Sequence, residues 1–432
     1  MFVRRSAAVL AATAVIGAAF TPAALADESP AASPSQAPSP STPSGLYGTA
    51  DPTYDGVWRQ SLALLAQHTV GVRPAAKAVD WLTGQQCADG GFAAYRADPA
   101  TKCDAKTQLD TNSTAAAVQA LEALDTDDAV TGAAVKWLKS AQNKDGGWGY
   151  LPGGASDTNS TALVIGALEA ADTDPRDLRS KDDRTPYDAL RGLAVPCDED
   201  GGGAFAFQPD KKGKLAANAD ATAAGVLGAL GEGLVADPAD DKDDKDDKDD
   251  EESVTPTECT GGDSPTPEQA AADGATYLAD AVAETGHLQS ALAGAEDQPD
   301  HGNTADAVVA LAAAGRSADA AKALAWLEKN SGPWAAKSGP AAYAQLIFAA
   351  HAAGTDPRDF GGADLVKQLG ATGPAAGAPD SSAEQDAERK DEQDEDKDDD
   401  GVGVWWIVGV GLVGGIGIGF LLSTRTKKKQ QP

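Results

Sequence analysis

Two kinds of apolar pattern alternate along this chain. Around Trp137, the residues Ala134, Leu138 and Ala141 share one face while Lys136, Lys139 and Asn143 face away. That predicts a helix covered on one side only. From 161 to 171 nearly every position is apolar, small residues recur, and Glu169 is the one charge. A helix that is apolar all round is buried all round. Between the two lie a Gly-Gly turn, Asp145-Gly146-Gly147-Trp148, and a polar pentad, Asp157-Thr158-Asn159-Ser160-Thr161.

The unit recurs, as in repeat proteins. After a helix over 55–67, a one-sided stretch at 75–85 runs into Asp89-Gly90-Gly91-Phe92, and the buried class follows at 110–124. A third copy combines 186–194, Asp200-Gly201-Gly202 and 218–230. Later pairs fall at 267–283 with 303–314 and at 318–329 with 341–353, and 363–369 reads as a short closing helix. One half-exposed and one buried helix per unit predict an all-α ring of about six outer and six inner helices.

The ends of the chain read differently. Arg4 and Arg5 before an apolar stretch, with Ala24-Leu25-Ala26 as a small-x-small site, predict a signal peptide over 1–26, with an uncleaved anchor as the alternative. A Pro/Ser-rich disordered spacer follows at 27–45. Residues 402–422 carry no charge over 21 positions, enough for one transmembrane helix. Acids precede that span and Lys427–Lys429 follow it, which places the 423–432 tail in the cytoplasm and the ring, 46–371, outside the cell membrane. The net charge of −31 is concentrated. The insertion at 237–262 and the juxtamembrane linker at 372–401 each hold an acidic run of −8, self-repelling and solvated. No basic patch with interleaved aromatics exists, which argues against nucleic acid. Four cysteines suit two disulfides in an exported chain. Cys87 and Cys197 each precede a Gly-Gly turn, while Cys103 and Cys259 lie in the irregular segments beyond. Cys87–Cys103 with Cys197–Cys259 is therefore the preferred pairing of three.

The segments Gln142-Asn143-Lys144-Asp145-Gly146-Gly147-Trp148 and Gln86-Cys87-Ala88-Asp89-Gly90-Gly91-Phe92 resemble the Gln…Gly…Trp repeats of the squalene cyclase and protein prenyltransferase superfamily. That resemblance implies an α/α toroid. The cobalamin carriers intrinsic factor and transcobalamin share this fold, and their inner helices begin with an Asp-Thr motif similar to Asp110-Thr111 and Asp157-Thr158. In those carriers the similar positions face the ligand, which singles out Asp110 and Asp157. Asn218 departs from the motif, and Gly339 replaces the acid in a fifth copy.

Four pentads superpose, beginning at Asp110, Asp157, Asn218 and Asp300. Helix N-capping explains any one of these residues. A polar group at nearly every pentad position instead suggests a polar rim at one mouth of the ring, with helix N-termini behind it. The candidate ligand-binding residues are Asp110, Thr111, Asn112, Asp157, Thr158, Asn159, Asn218 and Asp220, with Trp148 from the Gly-Gly turn, although that turn reads more readily as structural.

Catalysis finds less support. Asp125-Thr126-Asp127-Asp128 matches the acid motif of class II terpene cyclases but aligns with interhelical turns, and Asp240–Asp244 lies in the acidic run. The four pentad-bearing helices contain no aromatic residue for cation–π stabilisation. His68, His287, His301 and His351 are scattered, so no catalytic residue, metal site or cofactor is assigned. The leading expectation is a surface-anchored protein that captures a small, corrinoid-like ligand for a membrane partner such as an importer. An isoprenoid cyclase- or prenyltransferase-like enzyme is the alternative, and a protein-binding or adhesion module the third. Aromatics lining a cavity favour the enzyme, a polar open mouth the carrier, and a filled ring the module.

Overall fold

The computed structural model describes residues 43–238, 258–262, 264–291 and 297–376. The expected signal peptide, membrane span and basic tail lie outside these residues, as does most of the spacer, acidic insertion and juxtamembrane linker. Among the described residues no helix is long and apolar enough to cross a membrane.

Those residues form thirteen α-helices: α1 (Gly56–Thr69), α2 (Ala76–Gly84), α3 (Thr111–Ala123), α4 (Asp128–Ala141), α5 (Thr158–Ala170), α6 (Pro186–Arg191), α7 (Ala219–Leu230), α8 (Pro267–Val282), α9 (His301–Ala313), α10 (Ser317–Asn330), α11 (Gly332–Ser338), α12 (Pro340–Ala352) and α13 (Leu365–Gly370). The inner layer is α1, α3, α5, α7, α9 and α12. Each packs on the next, and α12 packs back on α1, so the toroid is closed. The outer layer is α2, α4, α6, α8, α10 and α13. Burial follows the two sequence patterns: α4 buries one stripe, Thr131, Ala134, Val135, Trp137 and Leu138, whereas α5 is buried along most of its length. Helix α11 lies between two expected helices and was not itself among the expected elements. Its Pro333 occupies the first turn, where the missing N–H costs nothing.

The Gly-Gly turns join consecutive repeats. Gly90 and Gly146 have φ of +100° and +96°. A Cβ on Gly146 would lie 2.1 Å from the carbonyl oxygen of Thr185, just ahead of α6, and one on Gly90 would lie 2.2 Å from that of Ala133 in α4. Only glycine lets each turn press on the next outer helix.

A residue just beyond these turns, or beyond the single-glycine turn at Gly286, is then fastened to the inner helix. The backbone N–H groups of Phe92, Trp148, Phe205 and Leu288 donate to the hydroxyls of Thr114, Thr161, Thr222 and Thr304 at 2.9–3.1 Å. Each threonine is the last residue of its pentad. Thr114, Thr222 and Thr304 in turn donate to the carbonyl of their own helix-capping residue. Both expected disulfides form, Cys87–Cys103 and Cys197–Cys259.

The clamp is testable. Thr114→Val removes the acceptor and leaves the buried Phe92 N–H unpaired, which should cost about 1–3 kcal/mol in urea unfolding. Thr114→Ser should recover most of that loss.

Candidate functional site

The cap and the clamp together fix which pentad residue faces the axis. At about 100° per residue, the threonine four places after the cap lies about 40° from it, while positions two, six and nine places on lie about 180–240° away. With cap and threonine turned toward the outer layer, those later positions turn inward.

They meet in a central cavity of about 240 Å³ that takes residues from all six inner helices. At its rim, two places after their caps, stand Asn112, Asn159 and Asp220. One turn deeper stand Asp306 of α9 and Gln345 of α12, and beyond them Leu227, Val309 and Phe348. Trp58 and Leu62 of α1 complete the wall.

The segment after α7 forms the floor, through Glu232, Gly233 and Leu234. It is held by the carboxamide of Gln119, which accepts from Leu234 N at 2.8 Å and donates to Leu163 O at 3.1 Å. A Cβ on Gly166 would lie 2.6 Å from the Cα of Gly233. Two glycines are what let this loop enter the ring.

The polar groups bond in pairs. The Asn159 amide donates to Asp220 at 2.9 Å, and the Gln345 amide reaches both oxygens of Asp306 at 3.1 Å. Oδ1 of Asn112 and of Asn159 are buried without a hydrogen-bond partner. Burial pushes the Asp306 carboxyl up to about 7, the nearby Asp220 carboxylate adds to the rise, and the Gln345 amide opposes it. Burial also raises Asp220, against its bond from Asn159. Asp306 therefore exchanges a proton near neutrality, within a wall containing Trp58 and Phe348.

The sequence-expected residues divide three ways. Asn112, Asn159 and Asp220 line the cavity. Asp110, Asp157 and Asn218 are N-caps, accepting from the N–H groups of Ser113, Ser160 and Ala221 at 2.6–2.8 Å, as Asp300 does from Asn303 at 3.0 Å. Burial pushes Asp110 up to about 6 and raises Asp157, against the bonds from Ser113 and Ser160. Thr111 and Thr158 join neighbouring repeats: their N–H groups donate to Tyr150 O and Phe207 O, and the Thr158 hydroxyl donates to Ala206 O. Trp148 corrects the ligand-binding expectation. Its side chain is wholly buried with the indole N–H donated to Leu138 O, so no face is open to a ligand.

Other expectations resolve in the same way. Asp125 sits at φ +48° between α3 and α4, and Asp127 caps α4, so this acidic motif is a turn. Asp240–Asp244 lies outside the described residues. The histidines are less scattered than expected, since His287 and His301 both lie against Trp326, at 4.4 and 5.1 Å between ring centres. Among the described residues, the group spaced to hold a metal is Cys197, Cys259 and Asp273, whose cysteines are spent in a disulfide.

Reading the sequence missed Trp58, Glu232, Asp306, Gln345 and Phe348. The one signal was Asp306 itself, an acid inside the apolar run of α9.

Residues 57–190 match the family model described as the prenyltransferase alpha-alpha toroid domain. No curated protein matches the chain. Among solved structures, a protein from Actinoplanes is 16% identical, with a TM-score of 0.45 over 72% of this chain and 93% of its own. A type II terpene cyclase from Scytonema is 15% identical, with a TM-score of 0.42 over 67% of this chain and 74% of that one. A sugar epimerase from a ruminal bacterium is 14% identical, with a TM-score of 0.43 over 72% and 93%.

The raised carboxyl has a signed consequence. Asp306 holds its proton to about 7 in the folded chain against 3.8 for an ordinary aspartate. Its contribution to stability is therefore complete below pH 4 and is lost as pH rises through 7. Asp306→Asn should gain on the wild type between pH 4 and 8, reaching a plateau on the order of a few kcal/mol in urea unfolding. A difference independent of pH would contradict this.

Proposed function

We propose, for a chain that carries a prenyltransferase-type α/α toroid domain, that the central cavity holds a short isoprenoid-like ligand and that Asp306 exchanges a proton with it. This is an acid–base enzyme of the cyclase type. The observation that carries the reading is the Asp306 carboxyl, held by Gln345 and pushed up to about 7 by burial, in a cavity bounded by Trp58 and Phe348. A general acid or base is most effective when its pKa lies near the working pH. Aromatic faces stabilise positive charge that develops on a protonated ligand. The volume would hold roughly eight waters at ~30 Å³ each, hence a ligand of roughly ten non-hydrogen atoms.

A second reading, capture without chemistry, is supported by the unpartnered amide oxygens of Asn112 and Asn159 at the rim. A corrinoid-like macrocycle exceeds the cavity and would have to lie across the mouth. Under either reading the export signal and the span at 402–422 would hold the toroid outside the membrane, a setting in which its two disulfides persist. An importer would be the membrane partner under the capture reading alone.

Ten-carbon isoprenoid alcohols and alkenes incubated with the full chain in D₂O separate the two. The enzyme reading expects a product carrying one deuteron at carbon, and a loss of at least ~100-fold in Asp306→Asn with binding retained in native mass spectrometry. Binding without product in both proteins would favour capture. No binding would contradict both.

A further inference from the structure

The chemistry of the cavity wall restricts the charge of whatever enters it. Three carboxyl groups line it, Asp220, Asp306 and Glu232. Among the described residues, no lysine, arginine or histidine does. The helix N-termini at its mouth, which could offer positive dipole ends to an anion, already face acceptors of their own. Asp110, Asp157, Asn218 and Asp300 cap four of the six inner helices. A diphosphate or carboxylate would leave water for a pocket with like charges and no compensating cation, so both desolvation and repulsion oppose its entry.

Positive charge finds the opposite environment. The Asp220 carboxylate is fixed by Asn159, the Gln345 amide holds Asp306 in place, and the aromatic side chains of Trp58 and Phe348 line the same cavity. Aromatic rings beside carboxylates are how proteins hold organic cations. We infer that the polar end of the ligand is a protonated amine, so that the cavity takes a small apolar ammonium ion and refuses the corresponding diphosphate. The inference rests on the cavity reading above and names its ligand class.

Binding such an ion shifts a proton. The charged groups acting on Asp306 are Asp220 of α7 and Asp300 at the head of α9, both negative, with Glu232 of the floor loop in the same cavity. An ammonium placed among them favours the Asp306 carboxylate. A proton then leaves Asp306 for solvent as the amine binds, so Asp306 enters the complex as the base of its acid–base pair, and affinity rises with pH from 6 to 8.

Titration calorimetry of the full chain with geranylamine and geraniol, which match in size and differ in head-group charge, tests this, with geranyl diphosphate as the anionic and bulkier third ligand. At pH 8 the amine should bind at least tenfold more tightly than the alcohol, and the diphosphate should not bind. At pH 6 the advantage should narrow, with proton release seen as a dependence of the heat on buffer ionisation. Asp220→Asn, which keeps an acceptor for Asn159, should remove the preference for amine and spare alcohol binding. Alcohol binding as tight as amine, or diphosphate binding tighter than either, overturns the ammonium assignment and leaves the cavity reading standing. If none of the three binds, the cavity reading falls with it. The wild-type comparison decides the matter even if the variant fails to fold.

Discussion

The bond from a backbone N–H in the turn after an outer helix to a threonine hydroxyl on the next inner helix fixes the rest of this structure. It occurs four times, at Thr114, Thr161, Thr222 and Thr304, each at the same distance from its capping residue. It joins an outer helix to its inner partner and sets the rotation of the inner helix about its own axis. Once cap and threonine face outward, the helical period carries positions two, six and nine places on toward the centre. The ring closes with those positions lining a cavity instead of a solid core.

Against that apolar scaffold, the cavity's carboxyl groups are costly. Asp306 and Asp220 are both raised by burial, and each is given one amide partner. A chain selected for stability alone would place leucine or alanine there, as it does at Leu163 and Ala224 on the same wall. Local rules broken inside an otherwise consistent fold mark functional sites. The floor loop adds to this, since Gly166 and Gly233 give up side-chain packing so that Glu232 can reach the cavity.

Most of the fold was legible in the sequence. One-sided and all-round apolar stretches differ in how much of the helix surface is apolar, and the Gly-Gly turns separate them, so the two layers and both disulfides follow from pattern. The site was legible in part. Treating each pentad as one polar rim merged three jobs that the helical period separates: Asp157 caps, Thr161 clamps and Asn159 faces the cavity. Asp306 and Gln345 lie six places after their caps, outside the pentads, and have no polar counterpart at Leu163 or Ala224. Trp148 was conspicuous because large aromatics are rare in this chain, yet its size is spent on filling the space between hairpins. The floor loop could not be read at all, since nothing local in Gly231–Leu234 says that it turns into the ring.

The most direct measurement is a crystal structure of the chain grown at pH 8 and soaked with a ten-carbon primary amine. The account predicts density in the central cavity, with nitrogen about 3 Å from carboxylate oxygens of Asp220 or Asp306 and the hydrocarbon against Phe348. Density confined to the outer surface or lying across the mouth, with the cavity empty, would contradict it.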